Sequence, residues 1–300
     1  MIMTKHTTKV GLVKGVSRET AISRVIELLG INPVKGKEIF LKPNFNTADP
    51  FPGSTHNDTL LYLIRHLRGM GAGSITIGDR SGPADTADVI REKGVDRLCE
   101  EMGVRLMNLD ELPDQDWIRM QPKQSHWWNG FDVARPVLGK ECIVTTCCLK
   151  THGYGGVFTM SLKLSVGITH RRNMAELHSS IRSMRKMIAE INTAYSPSLI
   201  LLDGIEAFVD RGPMKGERKK AGVLLSGTDR IAIDAVGLAV LKDLGSNKAV
   251  METPIFQQEQ ISRAVELELG VGGPGEIEIV TGDPVSAGYA EKLTVILGRG

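Results

Sequence analysis

A series of short apolar segments, separated by stretches with helical spacing, constrains the fold of this chain most strongly. Segments such as "EIFLKPN", "CIVTTCCLK" and "SLILLDGI" are apolar at consecutive positions, as expected for strands that helices cover on both faces. Further strands are predicted in "KVGLVKG", "SITIGDR", "VRLMNLD", "AGVLLSG" and "EIEIVTG". This alternation predicts a doubly wound α/β architecture around a mostly parallel sheet.

Helical spacing occupies most of the intervening sequence. Helices are predicted over residues 17–30, 57–72, 84–102, 174–192, 229–243 and 255–269. The pattern is clearest in 174–192, where Asn173 is expected to be the N-cap. Residues 111–140 interrupt the alternation with prolines and all three tryptophans, and we expect a Trp-rich antiparallel or irregular insertion there. The whole chain, residues 1–300, is predicted to form one α/β domain.

Charge composition argues against several classes of partner. The chain has 37 Lys and Arg and 35 Asp and Glu, a net charge of +2, whereas nucleic-acid and membrane-surface binders usually carry a lopsided charge. The first residues, "MIMTKHTTKVGLVKGVSRET", lack the apolar region of a secretion signal, and no run reaches the roughly 18 apolar residues of a membrane span. We expect a cytoplasmic protein without nucleic-acid or membrane partners, of undefined oligomeric state.

Polar side chains follow several of the predicted strands. They are Lys42, Asn44, Asn46, Asp79, Arg80, Lys150, His152, Asp203 and Glu206. Ligands of parallel sheets bind beyond the carboxyl ends of the strands, so a site is expected where these residues lie. The glycine-rich stretches 69–74 and 270–276 lead towards strands rather than into helices, which disfavours the usual binding modes of ATP and NAD.

The motifs at these strand ends resemble those of the DUF362 family, a bacterial and archaeal family named for its unknown function. The resemblance rests on "FLKPNFN" (40–46), "GDRSG" (78–82), "CLKTHGYGGVFTMSLKLSVGI" (148–168), "LLDGIEAFVDRGPMKGE" (201–217) and "LLSGTDRIAIDAVG" (224–237), and covers roughly residues 8 to 270. It implies as signature positions Lys42, Asn44, Lys150, His152, Lys163, Asp203, Gly212, Pro213, Gly216, Asp229 and Asp234. It implies no settled reaction.

Two departures from the family's pattern bear on the chemistry. Many relatives have Asn after the lysine that matches Lys163, where this chain has Leu164, so the ligand contacts are expected to differ. Other relatives carry a ferredoxin-like run of cysteines, and its lack in this member argues against an iron–sulfur cluster. The cysteines here form no C-x-x-C pair; they are Cys99, Cys142, Cys147 and Cys148. The sequence assigns no role to the adjacent pair.

Cations and glycines concentrate in residues 147–172. Lys150 and Lys163, joined by Lys42, are predicted to hold a carboxylate or phosphate. Further substrate-binding candidates are Asn44, Arg80, Arg171 and Lys215. His152 is expected to act as an acid or base near neutral pH, with Lys150 and Lys163 completing the catalytic set. Solvated surface loops are the alternative for this segment and for the loop around Lys215.

A divalent metal ion is a second hypothesis for the same region. The candidate ligands are His152, His178, Asp79 and Asp203, because imidazole and carboxylate groups bind divalent cations. No pair among them has the i, i+4 spacing of a helical metal motif. Asp234 lies within an apolar helix and therefore needs a partner, which we expect to be backbone donors, a nearby hydroxyl or one of the lysines.

Three functions remain open at this stage. The favoured one is an enzyme for a small anionic substrate, of lyase or isomerase type, with proton transfer by His152 and a metal ion as an optional cofactor. The second is a non-catalytic binding or carrier protein for a metal or a phosphorylated cofactor. The third is a redox or electron-transfer protein. Cations and a histidine at strand ends favour the first.

Overall fold

The structure is a computed structural model that describes residues 7–15 and 17–299. Its strands are β1 (Thr8–Lys14), β2 (Ile39–Lys42), β3 (Ile75–Asp79), β4 (Arg105–Asn108), β5 (Trp117–Met120), β6 (Phe131–Ala134), β7 (Cys142–His152), β8 (Val157–Phe158), β9 (Leu199–Asp210), β10 (Glu217–Gly227) and β11 (Ile277–Val280). Its helices are α1 (Arg18–Glu27), α2 (Asn57–Gly69), α3 (Thr86–Glu92), α4 (Val95–Met102), α5 (Arg135–Leu138), α6 (Met174–Ser179), α7 (Met184–Ile191), α8 (Arg230–Leu244), α9 (Lys248–Glu252), α10 (Glu259–Glu266) and α11 (Pro284–Leu297).

A nine-stranded sheet forms the centre of the fold, in the order β11-β1-β10-β9-β7-β2-β3-β4, with β8 paired to β7 beside this path. Strands β9, β7, β2, β3 and β4 run parallel to one another. Strand β10 is antiparallel to both of its neighbours, β9 and β1. The loop that joins β9 to β10 is too short for the crossover that a parallel arrangement of these two strands would need. The predicted α/β class with a mostly parallel sheet is confirmed.

Helices cover both faces of the sheet and bury two apolar clusters. On one face α8, α10 and α11 pack on residues such as Leu202 and Leu225, and on the other α1 and α2 pack on residues such as Leu41 and Val144. Consecutive strand residues are therefore buried, as the uninterrupted apolar runs predict. Across the described ranges, the helices are too short or too polar to cross a membrane.

Residues 111–140 contain the predicted insertion. Strands β5 and β6 pair antiparallel as a separate two-stranded sheet. Trp117 and Trp127 are buried in a third apolar cluster, whereas Trp128 is exposed. The segment is anchored to the main body because the buried carboxylate of Glu190 accepts hydrogen bonds from the Ser125 hydroxyl and the His126 backbone.

The helix predicted over 174–192 is wrong in its continuity. It is broken between Ser179 and Met184 into α6 and α7. Serine hydroxyls compete with helical backbone hydrogen bonds, and Ser179 Oγ donates to the Glu176 carbonyl at 3.1 Å. Asn173 occupies the N-cap position of α6, as predicted, but its side chain makes no capping hydrogen bond. Its Oδ1 instead accepts from the Asp132 backbone at 2.9 Å. Similarly, Gly94, in left-handed backbone, divides residues 84–102 into α3 and α4, and α11 lies outside the predicted helices.

Candidate functional site

Three neighbouring parallel strands, β7, β2 and β3, end at one cleft. It has a volume of about 440 Å³, part of it open to solvent. The side chains and backbone that line it belong to Lys42, Asn44, Asn46, Asp79, Arg80, Gly82, Lys150, His152, Thr159, Lys163, Leu164, Val166, Gly167 and Pro213. We call it the cation cleft, because four of these residues are Lys or Arg. It is positioned where ligands of parallel sheets bind.

Lys42 and Asp79 form a buried pair on one wall of the cleft. Lys42 Nζ lies 2.7 Å from Asp79 Oδ1, and Asp79 Oδ2 accepts from the Phe45 backbone at 2.7 Å. Burial is the largest influence on both groups, lowering the pKa of Lys42 and raising the pKa of Asp79. A Cβ at Gly167 would lie 2.6 Å from Lys42 Nζ, so only glycine lets this backbone approach the pair.

Arg80 is buried beside this pair and is held by backbone carbonyls. Its Nε donates to Thr169 O at 2.7 Å and its Nη2 to Val166 O at 2.8 Å. Burial lowers the pKa of Arg80 to about 10, so the guanidinium remains charged at neutral pH. Arg80 thereby fixes residues 166–169, of which Val166 and Gly167 line the cleft, and also contributes positive charge.

Lys150 reaches the cleft from within β7 and is fully buried. Its Nζ donates to the carbonyl oxygen of Gly53 and, at 3.4 Å, to that of Pro213. Burial is the main cause that lowers the pKa of Lys150. The ammonium group is thus oriented by neutral carbonyls that do not cancel its charge.

The backbone that carries Lys163 is fixed by Asp234. Asp234 Oδ1 accepts from Ser161 N at 2.7 Å and Oδ2 from Leu162 N at 3.0 Å, directly before the 3₁₀ helix Lys163–Ile168. Burial raises the pKa of Asp234 to about 7. Of the partners expected for Asp234, the structure contains the backbone donors. Its role is to position the Lys163 segment.

The Lys163 amine has no protein partner in the parts of the chain that are described. The side chain is partly buried, and its Nζ makes neither a hydrogen bond nor a salt bridge within residues 7–15 and 17–299. Burial, followed by the charges of Lys150 and Arg80, lowers the pKa of Lys163 to about 8. This lysine is therefore the one in the cleft whose amine is left available.

His152 is a neutral imidazole in this structure. Its ring is 7% exposed, and its Nδ1 accepts from the Gly156 backbone N–H at 3.2 Å, so the neutral ring carries its hydrogen on Nε2. Burial, followed by the charges of Lys163 and Lys150, lowers the pKa of His152 to about 2. The expectation that His152 titrates near neutral pH is therefore wrong.

The charges of the cleft do not balance. Asp79 is the lining carboxylate, and it is paired with Lys42. Arg80, Lys150 and Lys163 form no salt bridge with any Asp or Glu of the described ranges. Since buried charges ordinarily have a partner, an anion is the chemical species that this arrangement fits.

Two predicted substrate-binding residues lie elsewhere. Arg171 Nη2 donates to Asp110 Oδ2 at 2.6 Å, and this partner holds it outside the cation cleft. Lys215 is exposed in a neighbouring depression that it shares with Tyr154 and Arg211. The six other predicted catalytic and anion-binding residues line the cleft, namely Lys42, Asn44, Arg80, Lys150, His152 and Lys163.

The four predicted metal ligands do not form a metal site. Asp79 is paired with Lys42, and Asp203 Oδ2 accepts from Arg18 Nε at 2.7 Å and from Thr59 Oγ1 at 2.6 Å. His178 is exposed, with its Nδ1 at 2.7 Å from the Met174 carbonyl. Residues 7–15 and 17–299 contain no cluster of three or more His, Cys, Asp or Glu that could hold a metal ion. The carboxylates of Asp79 and Asp203 are instead bound by neighbouring cations and, for Asp203, by a hydroxyl group.

Sequence reasoning missed one polar side chain of the cleft, that of Thr159, and leaves other residues without a role. Thr159 follows the β7–β8 hairpin, and its N–H donates to the Lys150 carbonyl at 2.9 Å. The glycines after His152 were the available signal for a turn returning to the same place. Leu164, the departure from the family's pattern, also lines the cleft. Cys147 and Cys148 are buried, and burial raises both thiol pKa values, that of Cys148 to about 11.

A family described as a domain of unknown function (DUF362) matches residues 39–239. A thylakoid-associated protein, sll1697, from Synechocystis sp. is 22% identical over 212 residues, which are 69% of this chain and 64% of that protein's length. The lactate racemase apoprotein from Thermoanaerobacterium thermosaccharolyticum is a solved structure with a TM-score of 0.49 and 12% identity, over 97% of this chain and 87% of that one. From the family match, which spans the cleft and its strands, this chain belongs to the DUF362 family.

Proposed function

We propose that this protein is an enzyme that acts on a small anionic substrate, a carboxylate or a phosphate, in a reaction of lyase or isomerase type. One observation carries the proposal: Arg80, Lys150 and Lys163 meet in one cleft, and none of them forms a salt bridge with a carboxylate of the described residues. Burying unmatched cations is unfavourable. A bound anion would remove that penalty and gain charge-assisted hydrogen bonds.

The size and lining of the cleft suit a small molecule. Of its volume of about 440 Å³, which includes open solvent, about 60 Å³ is space that the centre of a water-sized sphere can occupy. The cleft is therefore smaller than the sites of drug-sized ligands and suits only a ligand of a few heavy atoms. Lys150 and Lys163 would bind the charged group, because their ammonium groups lack carboxylate partners. The amide of Asn44, which also lines the cleft, can donate to a further oxygen of the ligand.

His152 is the group proposed to take part in proton transfer. Since Nδ1 is engaged by Gly156, Nε2 is the atom left for the ligand. A neutral imidazole can donate a hydrogen bond from Nε2 to a substrate oxygen and stabilise the negative charge that develops there when the proton of the neighbouring carbon passes to solvent water in the open cleft. A bound anion would also offset the charges of Lys150 and Lys163, and thus raise the pKa of His152.

Deuterium exchange tests this function without a known substrate. The protein is incubated in D₂O with a panel of hydroxy- and oxo-carboxylates and phosphate monoesters, and uptake at carbon is followed by mass spectrometry. We expect uptake into at least one compound with the unchanged protein. His152→Gln should abolish that uptake while its far-UV circular dichroism and unfolding midpoint stay unchanged.

Lys215→Met serves as the matched control, because Lys215 is a predicted cation that lies outside the cleft, and it should retain full uptake. Equal uptake by the wild type and His152→Gln would contradict the role of His152. Uptake into none of the compounds, including those that bind, would contradict the enzymatic function and favour a carrier of anions.

A further inference from the structure

We propose that Lys163 is a nucleophile that forms an imine with the carbonyl carbon of an oxo-carboxylate bound in the cation cleft. The inference rests on the proposed function and narrows its substrate class to anions that carry an aldehyde or ketone group. It assigns a covalent role to one lysine of the cleft and none to its neighbours.

Hydrogen bonding distinguishes the three lysines of the cleft. Lys42 Nζ donates to Asp79 and, at 2.7 Å, to the Pro43 carbonyl. Lys150 Nζ donates to the carbonyls of Gly53 and Pro213. Such acceptors favour the protonated ammonium form, whose nitrogen has no lone pair to attack carbon. The Lys163 amine has no acceptor among the described residues, so none of them stabilises its ammonium form by a hydrogen bond.

The surroundings of Lys163 increase the fraction of free amine. Lysines become nucleophilic when burial or a neighbouring cation disfavours the ammonium form, and both conditions occur here. With the pKa of Lys163 lowered to about 8, roughly a tenth of the molecules carry the free amine at pH 7, whereas an ordinary lysine has less than about a thousandth. The lack of a hydrogen-bond acceptor and the neighbouring positive charges therefore both favour the free amine of Lys163.

His152 is placed to assist the same reaction. A Cβ at Gly156 would lie 2.8 Å from His152 Nδ1 and 3.2 Å from Lys163 Cε, so both side chains pack against this one glycine. Both residues also line the cation cleft, so a small ligand bound there can contact His152 Nε2 and the amine of Lys163 together. A substituent at Gly156 would separate them, which gives a physical reason for glycine here.

The covalent step balances without any oxidant or reductant. The lone pair of Lys163 Nζ forms a bond to the carbonyl carbon, and the electron pair of the C=O bond moves to oxygen, which is hydrogen-bonded by His152 Nε2. Transfer of an amine proton to this oxygen gives a carbinolamine. Nitrogen then expels the oxygen, which leaves as water with the second amine hydrogen. Amine and carbonyl are thereby converted to imine and water.

Trapping with borohydride tests the inference directly. The protein is incubated with pyruvate, treated with sodium borohydride, and examined by intact-mass and peptide mass spectrometry. We expect a single adduct whose mass is that of pyruvic acid less one oxygen atom, located on Lys163. Sulfate, which competes for the charged site and has no carbonyl group, should reduce the yield at least several-fold.

Two variants separate nucleophilicity from charge. Lys163→Arg keeps a positive charge but cannot form an imine, so it should bind sulfate and give no adduct. Lys215→Met should give the wild-type yield, since Lys215 is exposed outside the cleft. An equal adduct yield in Lys163→Arg, or an adduct located on Lys150, would overturn the inference.

Calorimetric titration with sulfate keeps the two proposals distinguishable. If sulfate binds but neither pyruvate nor glyoxylate is trapped on Lys163, the imine is disproved while the anion site stands. If sulfate does not bind and no adduct forms, the proposed function fails and the inference fails with it.

Discussion

Two buried groups of charged residues lie at the ends of neighbouring strands, and they differ in whether their charges are matched. At the end of the apolar part of β9, Asp203 accepts hydrogen bonds from Arg18 and Thr59; we call these three residues the Asp203 cluster. In the cation cleft beside it, Arg80, Lys150 and Lys163 form no salt bridge with a carboxylate in the described part of the chain. Polar residues at strand ends can therefore form structural ion pairs or ligand sites. Charges without an opposite partner distinguish a ligand site from a structural pair.

The difference has consequences for stability. The Asp203 cluster joins α1 and α2 to the sheet, so its ion pair contributes to holding the fold together. The cation cleft brings like charges together and removes them from water, which opposes folding until an anion binds. Functional sites commonly carry such an unfavourable arrangement.

The largest effect is expected from breaking the matched pair. Asp203→Ala leaves Arg18, whose side chain is 14% exposed, without its counter-ion, and should lower the free energy of unfolding by about 3–5 kcal/mol. Urea denaturation followed by circular dichroism measures this loss. Asp114→Ala is the control, because the Asp114 side chain is 87% exposed, and it should change stability by no more than about 0.5 kcal/mol. A loss below about 1 kcal/mol for Asp203→Ala would contradict a structural role for the cluster.

Removing an unmatched cation should raise the free energy of unfolding instead of lowering it. Lys163→Met deletes no hydrogen bond of the described structure and removes a charge that lies near Lys150 and Arg80. In sulfate-free buffer at pH 7, we expect the free energy of unfolding to rise by about 1 kcal/mol. The same urea denaturation checks this, and a fall in stability would mean that Lys163 has a structural partner.

The pH dependence of that gain provides a sharper test. The pKa of Lys163 is about 8 in the folded protein against a reference value of 10.5, so between these pH values the unfolded chain binds more protons than the folded one. The contribution of Lys163 to the free energy of unfolding of the wild type therefore rises from pH 8 towards pH 10.5. The advantage of Lys163→Met over the wild type should shrink across this window. A constant difference between pH 7 and pH 10.5 would indicate that Lys163 has an ordinary pKa.

The smallest effect is expected at Lys215. It is exposed and lies outside the cation cleft, so Lys215→Met should leave both stability and sulfate affinity within about 0.5 kcal/mol of the wild-type values. Denaturation and calorimetry measure the two quantities. A tenfold loss of sulfate affinity would show that the loop carrying Lys215 closes over the bound anion, which is the alternative for a mobile cationic side chain.

Local patterns explain why much of the fold and part of the site could be predicted. Parallel strands place their carboxyl ends together, so Lys42, Arg80 and Lys150 could be grouped before their contacts were known. Pairing across long separations could not be predicted. Arg18 and Asp203 are 185 residues apart, and a sequence does not show that this carboxylate is already satisfied and unfit to bind a metal ion.

Electrostatic effects of the fold were equally hidden in the sequence. The near-neutral pKa expected for His152 reflects an isolated imidazole, whereas burial next to Lys163 and Lys150 sets the value in the folded protein. The role of Asp234 depends on a turn that lies 73 residues away, at Ser161. Both depend on tertiary contacts that residue type and spacing do not specify.

Calorimetric titration with sulfate is the most direct measurement of the unmatched charge in the cation cleft. Wild-type protein, Lys163→Met and Lys215→Met are titrated at pH 7 and low ionic strength. One sulfate should bind per wild-type chain and with unchanged affinity to Lys215→Met, whereas Lys163→Met should bind roughly 10- to 100-fold more weakly, as expected for loss of one charge-assisted hydrogen bond. Absence of sulfate binding to the wild type, or equal affinity of all three proteins, would contradict an anion site in this cleft.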